Sequence, residues 1–291
     1  METISPDTLL LASGMPNPST FPVLEATFTL KESHRINITP QLMAQALQYS
    51  LSSGFPPFVA QLEELTEKIH APPDVCERQV VVTVGSEHGL SMACGMLINP
   101  GDAVLFQEPT YPGLLALLDN VQAHLIPIRS DSQGVIPSLL RVALDQCTDR
   151  RAKGRVLRFD SFSKTVAPGL RVGYVTVPKP IGEKLVLDIL DNILHASVLP
   201  QVILREVLKT WGHEGYLQHM RAVCELYRRQ RDIMVEAVDR HLNSSGGERY
   251  EDIGDETRTR ERGAGGAWGG LPGGWEPAVS IHQTRLFCDQ P

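Results

Sequence analysis

The chain is expected to fold as an α/β protein with a largely parallel sheet and flanking helices. Three stretches of sequence carry that expectation. A β-branched run from Gln79 to Val84 stops at Gly85-Ser86 and gives way to a helical stretch from Glu87 to Ile98. The turn Asn99-Pro100-Gly101-Asp102 leads into a second apolar run, Ala103 to Phe106, and a helical stretch from Leu114 to Asp119. A third strand follows over His124 to Ile128. Helical crossovers bring successive strands back side by side, and a strand covered on both faces reads as a continuous apolar run. Gln79 to Val84 is therefore read as a buried parallel strand.

The other elements fall around this unit. Residues 1–48 read as an N-terminal arm, extended to about position 40 because Pro16, Pro18 and Pro22 preclude a long helix. A short helix follows over Gln41 to Gln48. Residues 49–190 form the large domain, with a turn over Ser50 to Pro57 and a helix over Phe58 to Ile69. Val156 to Phe159 and Gly173 to Val177 are its later strands. From Ile181 the pattern is helical, and residues 191–242 lead on as a helical segment. There Leu217, Met220, Cys224, Tyr227, Met234 and Val238 recur at helical spacing as one apolar stripe, interrupted by Arg231. Residues 243–291 are rich in glycine and charge and show no period. Such a tail offers too little apolar surface to offset the entropy of ordering, so disorder is expected there.

Composition narrows the function. The 291 residues carry a net charge of -7, and no long block of one sign suggests nucleic acid. Arg228, Arg229 and Arg231 lie among acids on a helix, as on a solvated face. Five cysteines are scattered without a CxxC pair or a metal-ligand spacing, so no metal is expected and a reducing compartment is. The apolar run Leu9 to Ala12 is too short for a signal peptide, and no stretch has the length of a membrane span. A cytoplasmic protein is expected.

The chemistry concentrates in Asp160-Ser161-Phe162-Ser163-Lys164 and the Thr165 to Tyr174 continuation. Ser161 and Ser163 offer hydroxyls to a phosphate, and Arg171 offers a bidentate fork for it. Lys164 between them is placed for an aldehyde carbon, a role that burial and nearby cations favour. Ser-x-Ser-Lys alone reads more readily as a plain surface loop. The Pro168-Gly169-Leu170-Arg171 continuation turns the segment into a site for a phosphate and an aldehyde together. Gly85-Ser86 opens a helix whose free amides attract an anion, although a plain strand-to-helix turn looks the same.

SFSKTVAPGLRVGY resembles the lysine motif of class I aminotransferases, nearest the branch of 2-aminoadipate, kynurenine and fungal aromatic amino-acid aminotransferases. LASGMPNPSTFP, LQYSLSSGFPPF, VTVGSEHGL, NPGDAVLFQEPTYPG and VGYVTVPKP are similar to the same branch, so the likeness runs from about Leu10 to Leu242. The resemblance implies the fold of type I pyridoxal-phosphate (PLP) enzymes, PLP as cofactor, and ping-pong transfer of an amino group between an amino acid and a 2-oxo acid. It makes Lys164 the covalent and proton-transferring residue. It gives Ser86, the backbone of Glu87, Ser161, Ser163 and Arg171 to the phosphate, and Tyr111 to the face of the ring. It sends Tyr49 to the phosphate of a neighbouring subunit, implying a homodimer, and sets Gly14 and Asn17 by the substrate. A neutral residue is usual at position 87, and a glutamate side chain there repels phosphate.

Two parts of the family pattern are absent. Between the Tyr111 region and the lysine the family carries an Asn-Pro-x-Gly motif, then a strand ending in the Asp that keeps the ring nitrogen protonated, with a Tyr shortly after. Here Cys147-Thr148 runs through 149–154 directly into Arg155, an internal deletion near 148–155 that takes two central strands. Asp145 and Asp149 are the only acids nearby, and neither is read at a strand end. After Leu242 the small domain with its carboxylate-binding arginine does not follow, and Arg285 has no matching surroundings. A shifted frame or skipped exon gives such a pattern. A non-catalytic truncated product, and another PLP reaction on the same fold, therefore stand as alternatives to an active aminotransferase.

Overall fold

The computed structural model describes residues 14–71, 77–131, 134–146, 156–241 and 280–283. An N-terminal hairpin of β1 (Ala26–Thr29) and β2 (Arg35–Ile38) precedes helices α1 (Pro40–Ala46) and α2 (Pro56–His70). Then come β3 (Arg78–Thr83), α3 (Gly85–Leu97), β4 (Ala103–Glu108), α4 (Pro112–Asn120), β5 (His124–Asp131), β6 (Gly134–Val135) and α5 (Pro137–Gln146). β7 (Val156–Ser161), β8 (Gly173–Pro178), α6 (Lys179–Ile193), α7 (Val198–His241) and β9 (Ser280–Gln283) complete the order.

The main strands fall into two sheets, β3-β8-β7-β9 and β4-β5-β6. Among the described residues no strand is hydrogen-bonded to both sheets. β9 pairs parallel with β7, from Val156 opposite Ser280 to Phe159 opposite Gln283, and also lies against β4. β4 and β5 pair in parallel. β3 does not pair in parallel: it runs antiparallel to β8, which is also antiparallel to β7. The continuous apolar run reported burial on both faces correctly, but it carries no information on strand direction. A hydrogen-bonded reversed strand between two like-directed ones buries the same side chains.

Alternation along β3 divides the core. Val80 and Val82 face α2 and α7, joining Phe58, Leu62, Val202 and Leu208. Val81 faces the other way, with Leu157, Phe159 and Val175 against Leu90 of α3 and Leu185 and Ile189 of α6. α2 starts on Pro56-Pro57, where missing amides cost nothing, and ends at Ala71 in the left-handed region. Phe58, Leu62 and Leu65 give it one buried stripe. The segment read as an extended arm is a hairpin that buries Ile36 and Ile38, because alternation in Arg35–Ile38 turns every second residue inward.

α7 is broken at Gly212 (φ 62°, ψ 179°). Beyond the break the apolar stripe is covered only as far as Cys224. Tyr227 and Met234 are 44% and 65% exposed, so no described element packs on the far end. Arg228 and Arg229 both pair with Glu225, and Arg231 with Asp232, as on a solvated face. Apart from Ser280–Gln283, the tail read as disordered lies outside the described residues, as do Asp149 and Arg285. No described helix is long and apolar enough to cross a membrane.

Candidate active site

The site forms where β3, β7 and β8 meet the start of α3. The chain leaves β3 through Gly85, at φ +77°, a conformation that L side chains resist. The buried hydroxyl of Thr83 donates to the Gly85 carbonyl at 2.8 Å and fixes this turn. A Cβ on Gly85 would stand 2.6 Å from Arg171 Nη2, so the guanidinium lies over the first turn of α3. A Cβ on Gly173 would stand 2.7 Å from the Ser86 amide nitrogen and 2.8 Å from the Asp160 carbonyl oxygen. The two glycines thus let a helix N-terminus, the end of β7 and a guanidinium approach one another closely.

Arg171 itself occupies the left-handed region (φ 52°, ψ 42°), and its Nη1 donates to the Pro168 carbonyl at 3.3 Å. A non-glycine residue held there stores strain, which collects at functional positions. Ser161 Oγ accepts from the Ser163 amide at 3.1 Å, leaving its own proton to donate. These residues share one cleft of about 1230 Å³, lined by Ser86, Glu87, Tyr111, Ser161, Ser163, Lys164 and Arg171. Every cofactor residue expected within one subunit is therefore brought together. Lys164 is exposed on the cleft, so burial, one of the two influences that favour its role, is not at work on it. Its neighbours Phe162 and Thr165 point inward instead, at 2% and 7% exposure.

Three expected residues do not line this cleft. Tyr49 is 52% exposed, with its ring edge-on to His195 at 5.9 Å. Asn17 caps its own turn by accepting from the Ser19 amide at 3.0 Å, and Gly14 is exposed at φ +55°.

Sequence reading missed the opposite wall, formed by Lys68 and His70 of α2 and by Tyr216, Met220 and Arg221 of α7. It also missed a half-buried ion pair: Asp160 accepts from Arg158 Nε at 2.8 Å and Nη2 at 2.9 Å. The signal was available, since Arg-x-Asp on a strand puts both side chains on one face. Burial, then the Arg158 cation, hold His70 below the usual histidine range. Burial, then the Asp160 charge, hold the Tyr174 hydroxyl well above the usual tyrosine range. The other cleft carboxylate on this wall, Glu225, is held by Arg228 and Arg229. Asp145 is exposed on α5, outside the cleft.

Residues 37–163 match the family model for aminotransferase class I and II. The bovine mitochondrial kynurenine/alpha-aminoadipate aminotransferase is 31% identical over 307 aligned positions, covering 80% of this chain and 72% of that protein. Those positions outnumber the 291 residues of the chain, so the relative carries internal stretches with no counterpart here. Among solved structures, the aminotransferase Aro8 of Candida albicans superposes with a TM-score of 0.71 at 19% identity, covering 81% of this chain and 71% of its own. The kynurenine aminotransferase of Pyrococcus horikoshii, solved with PMP, gives 0.61 at 21% identity over 69% of this chain and 64% of its own. With this likeness and this cleft, the chain belongs to the class I and II aminotransferases, PLP-dependent enzymes that move an amino group between an amino acid and an oxo acid.

Proposed function

We propose that this chain holds PLP on Lys164 and acts on aromatic, kynurenine or 2-aminoadipate type amino acids with a 2-oxo acid as acceptor. The observation that carries the reading is the meeting of the α3 N-terminus, Ser161, Ser163 and Arg171 on one cleft, at the close approach that Gly85 and Gly173 permit. That cradle fits a phosphate, with Ser86 and the Glu87 backbone donating amides and the helix dipole favouring the anion. Tyr111 offers a ring face to a flat heterocycle. When bound, PLP supplies an electron sink for the bond broken at the substrate Cα. Lys164 Nζ would take the proton from the substrate Cα and deliver it to the cofactor carbon that receives the amino group, and would carry a proton the opposite way when the second oxo acid is aminated.

Tyr49 belongs to the proposal as a donor to a second subunit's phosphate. Its exposure and its position off this chain's own cleft support that role. Gly14 and Asn17, exposed on the N-terminal segment, are proposed to meet substrate there. A cytoplasmic setting is supported by the buried thiols of Cys94 and Cys224.

One specific observation favours slow turnover. Of the carboxylates lining the cleft, Asp160 and Glu225 are bound to arginines and Glu87 stands in the first turn of α3, at the phosphate end, so none is poised to keep a ring nitrogen protonated. Loss of such a charge-assisted partner costs about 1.5–3 kcal/mol, or roughly ten- to a hundredfold in rate. PLP added to the purified chain should produce a visible absorption band. Transamination of kynurenine, 2-aminoadipate and aromatic donors should run roughly ten- to a hundredfold slower than in a relative that keeps the ring-nitrogen carboxylate. Absence of the band defeats the cofactor reading, and rapid saturable turnover defeats the inference about the ring partner.

A further inference from the structure

The aim of Lys164 depends on the backbone that carries it, and that backbone is anchored on both sides. Before it, Phe162 is buried among Phe58, Tyr174 and Tyr216, with ring centroids 6.2, 6.0 and 6.4 Å away. The Phe162 carbonyl accepts from the amides of Val166 and Ala167 at 2.9 and 3.1 Å, which closes the loop into a tight turn. After it, the carbonyl of Thr165 meets His219 Nε2 at 2.6 Å, a contact between residues 54 positions apart. A carbonyl only accepts, so Nε2 carries the proton and donates.

The imidazole is itself held. Trp211 stacks on it with centroids 4.6 Å apart and planes inclined by 29°. The two residues flank the break at Gly212, where the backbone leaves helical geometry. An unbroken helix would place residues eight apart two turns along its axis, about 12 Å at 1.5 Å per residue. The break is therefore what lets the indole cover the ring. A side chain on α7 thus reaches across the core to the residue following the lysine.

We propose that His219 is a positioning residue for Lys164: by holding the Thr165 carbonyl it fixes the direction in which Nζ leaves the loop. The proposal rests on the reading of Lys164 as the PLP lysine. It assigns no contact between His219 and cofactor or substrate. It separates two functions within the cleft, since the phosphate cradle is built by β3, α3 and Arg171 and needs no contact from His219.

The test uses the full chain with His219→Ala and His219→Gln, the glutamine keeping an N–H donor on a side chain of similar reach. Amide exchange read by mass spectrometry on the Phe162–Ala167 segment should quicken about tenfold in the alanine variant, while β3 keeps its protection. PLP affinity, read from the visible band, should weaken about tenfold, and inorganic phosphate should compete as well as in the parent. The glutamine variant should recover most of both losses. Unchanged exchange and unchanged PLP affinity in the alanine variant overturn the proposal. So does a loss of protection that extends equally to β3, or a glutamine variant as impaired as alanine, because either makes His219 part of the general packing. If borohydride reduction of the parent labels a lysine other than Lys164, the cofactor reading fails, and the exchange comparison alone then decides whether His219 orders the loop.

Discussion

Gly85→Ala separates the geometry of the phosphate cradle from general stability. At φ +77° an L residue costs about 1–2 kcal/mol. The new Cβ would also stand 2.6 Å from Arg171 Nη2 and 3.2 Å from Cζ, so the guanidinium must move. Because that group is the far end of a flexible side chain, the stability loss should stay near the backbone cost. Binding should suffer more: a hydrogen bond to a charged group is worth about 1.5–3 kcal/mol, so PLP affinity should fall roughly ten- to a hundredfold. Absorbance titration with PLP, competition by inorganic phosphate and thermal melting measure these terms on one sample. Gly95→Ala is the control: it lies in α3 with open space at its Cβ and should bind PLP normally and melt slightly higher. A Gly85→Ala protein that melts lower but binds PLP and phosphate like the parent would refute the reasoning, since the phosphate would then sit elsewhere.

Two further outcomes follow from other residues. Tyr49→Phe should weaken PLP binding, and mixing it with Lys164→Ala should restore one intact site per dimer; full PLP affinity in a dilute monomer contradicts this. Burial, with help from Glu87, pushes the Cys94 thiol from 9.0 up to about 11. The unfolded chain then releases this proton first, so the stability that Cys94 contributes is full below about pH 9 and lost as pH rises toward 11. Cys94→Ala should flatten denaturant midpoints across that window, and an unaltered slope would show that the thiol is not the group responsible. Tyr174 and Tyr216, also raised by burial, add a decline that begins near the ordinary tyrosine value of 10.0 and that the variant should retain, so the Cys94 effect is read between about pH 9 and 10.

The sequence made the site legible where local rules determine geometry. A β-branched run ending at Gly85-Ser86 meant a strand entering a helix, and β3 does turn into α3 there. Serines flanking Lys164 and an arginine past a Pro-Gly turn meant convergence, and all of them line one cleft. Legibility ended where tertiary pairing decides. The apolar pattern of β3 is the same whichever way its neighbour runs. Apolar spacing in α7 continues past Cys224 whether or not anything covers it, so Tyr227 and Met234 read as core and stand exposed. β9 has no local period, because a strand of four residues is too short to show one. Which residues of the lysine loop turn inward was not legible either: burial falls on Phe162 and Thr165. The His219 contact spans 54 positions, beyond any periodicity along the chain.

The central claim is that Lys164 forms the covalent bond to the cofactor. PLP-treated protein should be reduced with borohydride, digested, and the pyridoxyl-labelled peptide mapped by mass spectrometry. A single label on Lys164, lost in Lys164→Ala and diminished by excess inorganic phosphate, is the predicted result. A label on Lys68, Lys179 or Lys184, or one spread evenly over the surface lysines, contradicts it.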